Sequence, residues 1–140
     1  MPPTDRDATV SALRAFFVNP PAGTVAVYLF GSVARAESAP RSDVDVAILF
    51  DQDPPRTLEG LHLGLADELQ RTLGRRVDLI SLNHAPADLV HRVLRDGILV
   101  CERSRSARIR FEVRLRNEYF DLEPIRKMYR RTAAQGAATH

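Results

Sequence analysis

Apolar residues recur along the chain with two spacings, and each spacing predicts one type of element. Runs rich in β-branched and aromatic residues predict four strands, at residues 24–30, 43–50, 76–82 and 98–100. Apolar residues three or four positions apart predict helices. These are a helix with Val10, Leu13 and Phe17, helices over 58–73 and 86–97, and a C-terminal helix with the stripe Phe111, Leu115, Tyr119, Leu122, Ile125 and Tyr129. A single helical turn is predicted at 33–37, directly after the first strand.

The residues between these runs predict where the helices begin and end. Thr4 or Asp5 is suited to cap the first helix, and Gly74 is suited to end the third. Pro124 is expected to interrupt or kink the last helix. Strands that alternate with helices predict an α/β (α+β) domain built on one layered sheet. A single domain is expected over residues 1–140, with its core at about 8–130 and frayed ends.

Two features of the composition exclude classes of protein. No apolar run approaches the roughly 18 to 20 residues that span a bilayer, and the N-terminus has no basic and apolar targeting pattern, so we expect a cytoplasmic protein without a membrane partner. The single cysteine, Cys101, excludes an internal disulfide and a Cys-rich zinc site. Its neighbours are apolar, which predicts that the thiol packs in the core.

The charge is unevenly distributed along the chain. Residues 1–100 carry 10 basic and 13 acidic side chains, whereas residues 101–140 carry 10 basic and 5 acidic ones. An acidic body is suited to bind cations, and a basic tail is suited to contact an anion or a partner protein.

Two carboxylates open the second predicted strand. Asp43 and Asp45 are two residues apart, so their side chains point to the same face, about 7 Å apart along the strand. Acids are rare in a strand that is otherwise apolar, and two on one face repel unless a cation lies between them. Carboxylate oxygens without nearby His or Cys suit Mg²⁺ or Mn²⁺. On its own, an Asp-x-Asp pair also fits an ordinary strand edge.

Two further features complete a candidate site. Gly31 follows a hydrophobic strand directly, so the backbone there can approach a ligand, and the next residues can begin a helix whose free N–H groups favour phosphate. The Ser32 hydroxyl can add a hydrogen bond to a phosphate oxygen. Asp78 is a third acid in an apolar strand. If its strand lies beside the second one, the three acids share one cleft, where a third carboxylate can serve as a metal ligand and as a base.

The spacing of these residues resembles a known motif. The run Gly31-Ser32-x-x-Arg35, followed by Ser42-Asp43-x-Asp45, is similar to that of the DNA-polymerase-β-type nucleotidyltransferases, and Asp78 stands where the family has its third carboxylate. The short length resembles the minimal nucleotidyltransferase (MNT) branch, the antitoxin partners of HEPN-domain toxins. One departure is Ala36, because a glycine often follows the motif arginine, and this leaves the local turn open.

The resemblance implies a fold, a reaction and a set of roles. It implies a mixed sheet of about four strands flanked by helices, and transfer of a nucleoside monophosphate from ATP or another NTP with loss of pyrophosphate. The implied metal ligands and catalytic residues are Asp43, Asp45 and Asp78, with two Mg²⁺ ions, or Mn²⁺. The implied nucleotide-binding residues are Gly31, Ser32, Arg35 and Ser42. Arg35 also fits a solvated helix face.

Several acceptors remain open. The MNT resemblance implies a HEPN toxin, with AMP placed on a tyrosine, so that the chain acts as an antitoxin. A small hydroxylated molecule of aminoglycoside type is an alternative, although such enzymes usually carry an extra helical domain. A third possibility is an antitoxin that neutralises its partner by binding alone. A nucleic-acid polymerase would fit the basic tail, but few aromatic residues are available for base stacking, so no stable nucleic-acid complex is expected.

Overall fold

The computed structural model describes residues 4–37, 42–52 and 59–118, without the side chains of 59–63. Along the chain the elements are α1 (Asp5–Phe16), β1 (Thr24–Phe30), α2 (Gly31–Ala34), β2 (Val44–Phe50), α3 (Glu59–Leu73), β3 (Val77–Ser81), a 3₁₀ turn (Leu82–His84), α4 (Ala87–Asp96), β4 (Ile98–Glu102) and α5 (105–118). Every predicted strand is present, with ends shifted by no more than two residues. Pro124 and the apolar positions from Tyr119 onward lie outside the described residues.

Helix ends follow the local chemistry that the sequence indicated. The Thr4 hydroxyl accepts a hydrogen bond from the Asp7 backbone N–H at 3.1 Å and so caps α1. Gly74 takes a left-handed conformation with φ of 64° directly after α3, and its N–H donates to the Gln70 carbonyl. Pro86 precedes the first residue of α4. None of the helices in the described ranges combines the length and apolar character of a membrane span.

The four strands form one mixed sheet in the order β3-β2-β1-β4. β1 lies between β2 and β4 and is antiparallel to both, whereas β2 and β3 run parallel. The connection from β2 to β3 contains α3, as a parallel crossover requires. The mixed, four-stranded α/β architecture implied by the motif resemblance is therefore confirmed.

Both faces of the sheet are covered, which explains why β1 and β2 are nearly continuous apolar runs. On one face, α1, α2 and α3 pack on alternate residues of the central strands, and this cluster includes Leu13, Phe17, Val27, Leu29, Val46, Ile48 and Leu69. On the other face, α4 and α5 pack on the intervening residues, in a cluster that includes Val25, Tyr28, Ala47, Leu49, Val90, Val93 and Leu115. Cys101 is half-buried against the first cluster, as its apolar neighbours predicted, and burial raises its thiol pKa.

A buried polar pair ties α5 to the sheet. The Tyr28 hydroxyl donates a hydrogen bond to Glu112 at 2.7 Å, and both residues are buried. Arg108 also donates to the Glu112 carboxylate, at 3.0 Å, and forms an ion pair with Glu102. Burial, and then the bond to Glu112, raises the pKa of Tyr28. Glu112 therefore anchors α5 in a position that the apolar stripe of this helix alone does not specify.

Candidate active site

The three acids lie at one end of the sheet. Asp45 is the second residue of β2, and in the parallel register it lies opposite Asp78 of β3. On its other side Asp45 pairs with Phe30, the last residue of β1. Asp43 lies directly before β2 and, two residues from Asp45, belongs to the same face of the strand. The structure thus brings the predicted acids of two strands together.

The negative charges at this site repel one another. Asp43 and Asp78 are exposed, whereas Asp45 is partly buried. Burial raises the pKa of the Asp45 carboxyl, and the negative charges of Asp78 and Asp43 raise it further, while Arg35 acts in the opposite direction. A bound cation would relieve both the repulsion and part of the burial cost.

Gly31 faces the central carboxylate at very short range. It begins α2 immediately after β1, with φ of 77°, a conformation that favours glycine. A Cβ atom placed on Gly31 would overlap the Asp45 Oδ2 oxygen and lie 3.0 Å from its Cγ. Phe30 gives α2 no side-chain cap, so first-turn N–H groups remain available to an anion. A glycine is therefore required here both by conformation and by space.

The remaining motif residues border this centre. Ser32 is half-buried in the first turn of α2. Arg35 ends α2, where its Nε donates to Glu37 at 3.0 Å and its charge acts on Asp45. Ser42 contributes its backbone carbonyl, which accepts two hydrogen bonds from Arg75. The sequence pattern did not predict the contact between Arg75 and Ser42, because an arginine in a connection belongs to no periodic pattern.

Ala36 is the residue at which this chain departs from the family motif. Its φ is 58°, the only positive φ of a non-glycine residue in the described part of the chain. The turn that follows α2 therefore adopts the left-handed conformation that a glycine would favour, although the residue is alanine. The backbone at this turn is thus left-handed even with alanine at position 36.

Replacing Ala36 by glycine should stabilise the protein. A left-handed conformation costs an L-residue about 1 kcal/mol or more, and glycine avoids this cost at the expense of greater freedom in the unfolded chain. We expect Ala36→Gly to raise the free energy of unfolding by about 0.5 kcal/mol in urea titrations. Ala34→Gly, in helical conformation two residues earlier, should lower it. A destabilised Ala36→Gly protein would contradict this assignment.

The donor set fits Mg²⁺ or Mn²⁺. All three candidate ligands are carboxylates, the ligand type that hard divalent cations prefer, and their mutual repulsion favours a cation between them. Within residues 4–37, 42–52 and 59–118, however, no three His, Cys, Asp or Glu side chains lie close enough to form a ready-made metal site. Asp43 and Asp78 are both exposed, whereas Asp45 is partly buried.

Part of this chain matches a known family and a curated protein. Residues 16–106 match the family described as polymerase beta, nucleotidyltransferase. A Methanocaldococcus jannaschii protein provisionally named a protein adenylyltransferase is 38% identical over 55 residues, which make up 39% of this chain and 54% of that protein. The match therefore spans about half the length of this curated relative.

Solved structures share the fold. A chain of a toxin–antitoxin crystal structure with AMP-PNP superimposes with a TM-score of 0.77 at 22% identity, covering 89% of this chain and 98% of that chain. A chain from the complex of tri-AMPylated Shewanella oneidensis HEPN toxin with MNT antitoxin gives a TM-score of 0.67 at 22% identity, covering 93% and 96%. At this level of identity the likeness establishes the architecture.

Proposed function

Because this chain belongs to the polymerase β-type nucleotidyltransferase family, we propose that it transfers AMP from ATP to a hydroxyl group and releases pyrophosphate. The observation that carries the proposal is the register that sets Asp45 of β2 opposite Asp78 of β3, with Gly31 against the Asp45 carboxylate. Acidic residues and a glycine that leaves backbone accessible thus lie at one sheet end, where triphosphate and divalent cation can bind together.

Each residue has a distinct role in this reaction. Asp43 and Asp45, together with Asp78, would hold Mg²⁺, which would neutralise charge on the phosphates. Gly31 and Ser32 receive the triphosphate against the first turn of α2, and Arg35 supplies positive charge at its end. Ser42 acts through its backbone, which orients Asp43.

The acceptor binds on the side of Asp78. The acceptor oxygen attacks the α-phosphorus, the bond from that phosphorus to the pyrophosphate oxygen breaks, and the hydroxyl proton passes to the Asp78 carboxylate. Asp78 is exposed, so an acceptor as large as a protein can reach it. Asp43 and Asp45 therefore serve the nucleotide, and Asp78, the third candidate metal ligand, also serves the acceptor.

The acceptor we propose is a tyrosine of a HEPN-domain ribonuclease toxin, which would make this chain an antitoxin. Support comes from the structural neighbours, which include a tri-AMPylated HEPN toxin in complex with an MNT antitoxin and a toxin–antitoxin structure with AMP-PNP. AMP on such a tyrosine adds bulk and negative charge, which would repel RNA phosphates from the ribonuclease site.

The outer face of α5 is suited to contact a partner protein. Ile109 and Val113 are 44% and 48% exposed and lie one helical turn apart. Four exposed arginines lie on the same helix: Arg105, Arg110, Arg114 and Arg116. An exposed aliphatic pair on a basic helix is suited to an acidic protein surface that also offers apolar contacts.

The test is to incubate the chain with Mg-ATP and the protein encoded by its neighbouring gene, and then to weigh that protein by mass spectrometry. We expect mass increments of one or more AMP groups and loss of ribonuclease activity. A partner that is neutralised without any mass increment would identify an antitoxin that acts by binding. AMP transfer to an aminoglycoside but not to the partner would identify a small-molecule enzyme.

A further inference from the structure

Arg75 connects three elements beside the candidate active site. It lies in the connection between α3 and β3, and its side chain is only 14% exposed. Its Nε and Nη2 donate to the Ser42 carbonyl at 3.1 and 2.6 Å. Its Nη1 donates to the Asp5 carboxylate, in the first turn of α1, at 2.7 Å. One guanidinium therefore holds the backbone that leads into β2 against α1.

The next residue holds the same backbone from the other side of Asp43. The Arg76 carbonyl accepts a hydrogen bond from the Val44 N–H at 2.9 Å. Arg75 thus holds Ser42 and Arg76 holds Val44, so two consecutive residues of the α3–β3 connection hold the residues on either side of Asp43. Because the Asp43 carboxylate is exposed, its position depends on this backbone.

We propose that Arg75 is a positioning residue that fixes the backbone of residues 42–45, and through it the placement of the Asp43 carboxylate relative to Asp45. The proposal rests on the proposed function in one respect only, namely that these two carboxylates bind a divalent cation. Arg75 itself does not touch the nucleotide or the acceptor.

Arginine is suited to this task for a geometric reason. Its planar group presents donors in fixed directions, so two can converge on the Ser42 carbonyl while a third reaches Asp5. The ammonium of a lysine is a single compact centre, which cannot reproduce this three-way contact from one position. The low exposure of Arg75 also means that water competes poorly for these donors.

The test compares Arg75→Gln and Arg75→Lys with Arg76→Gln, which changes an exposed arginine of the same connection and leaves its backbone carbonyl in place. Amide hydrogen exchange is measured on the metal-free proteins. The dissociation constant for Mn²⁺ is then measured by electron paramagnetic resonance in the presence of a non-hydrolysable ATP analogue. Thermal unfolding of each variant shows that it is folded under these conditions.

For Arg75→Gln we expect exchange of the Val44 amide, which donates to the Arg76 carbonyl, to accelerate about tenfold, amides of α4 to remain unchanged, and the Mn²⁺ dissociation constant to rise about tenfold. Arg75→Lys should show a smaller change in both measurements, and Arg76→Gln should match the parent. A purely structural role would instead lower the unfolding temperature and accelerate exchange throughout the sheet.

Two outcomes would overturn the proposal: parental exchange and Mn²⁺ affinity in folded Arg75→Gln, or acceleration spread over the whole protein. If Arg75→Gln does not fold, the same two outcomes measured on Arg75→Lys would overturn the proposal. A parent protein that binds no Mn²⁺ with the analogue would count against the proposed function. The exchange measurement would still show whether Arg75 fixes residues 42–45.

Discussion

Combining Asp43→Asn with Asp45→Asn should lower the rate of AMP transfer about a thousandfold or more, equivalent to about 4 kcal/mol of transition-state stabilisation. Asparagine keeps the shape of each side chain but removes the two negative charges that attract a divalent cation. The parallel register places Asp45 beside Asp78, so one carboxylate remains in the double variant. A single remaining acid is insufficient to hold a cation against the phosphates. Transfer is measured with α-labelled ATP, Mg²⁺ and the partner protein.

A matched control separates the site from general charge effects. Asp67 is an exposed acid of α3, a helix that packs on the opposite face of the sheet from the Asp45 side chain. Asp67→Asn changes the net charge in the same direction as each active-site substitution and should retain parental transfer. Undiminished transfer by the double variant, or by the parent in excess chelator, would exclude the metal-dependent mechanism.

Asp45→Asn alone should stabilise the metal-free protein at neutral pH. Burial, and then Asp78 and Asp43, raise the pKa of Asp45 in the folded protein. A carboxyl whose pKa is higher in the folded than in the unfolded protein costs stability once it is ionised. The gain should therefore be complete above the folded-state pKa and should disappear as the pH falls below the unfolded-state value of about 3.9. Thermal unfolding in chelator at several pH values measures it, and an unchanged or lower unfolding temperature at neutral pH would contradict it.

The elements of the fold could be predicted from sequence because their patterns are local. The strands β1 and β2 were evident from continuous apolar runs. Helix α1 begins directly after Thr4 and α3 ends directly before Gly74, residues that are favoured at a helix start and after a helix end. The strand order was not accessible in this way, because it depends on which strands pair across the sheet. The same applies to Asn83, whose side chain accepts a hydrogen bond from the Phe50 N–H and donates one to the Phe50 carbonyl.

The candidate site could be predicted only in part. Asp45 and Asp78 are conspicuous because acids are rare in apolar strands, and the motif spacing linked them to Gly31. The supporting contacts carry no such signal. Arg75 reaches Ser42 across 33 residues of sequence, and its neighbour Arg76 is indistinguishable from it in the sequence. Which of two adjacent arginines turns inward is decided by the tertiary structure around Gly74.

Gly31→Ala should reduce AMP transfer about a hundredfold or more, equivalent to about 2.7 kcal/mol. The added Cβ would overlap the Asp45 Oδ2 oxygen, so either the carboxylate must rotate away from its partners or α2 must shift away from the sheet. Either movement separates the triphosphate-binding turn from the metal-binding acids. Because Asp45 is displaced as well as the loop, we expect both a higher KM for ATP and a lower kcat.

Gly74→Ala provides the matched control for this effect. Both glycines have positive φ, 77° at Gly31 and 64° at Gly74, so alanine pays a similar conformational cost of about 1 kcal/mol at each. A Cβ on Gly74 would meet no atom within 4 Å, whereas one on Gly31 would meet the Asp45 carboxylate. The two variants should therefore both lose stability, but only Gly31→Ala should lose transfer. Equal losses of activity would show that backbone strain alone is responsible, and parental activity in folded Gly31→Ala would show that neither ATP nor the cation binds at this turn.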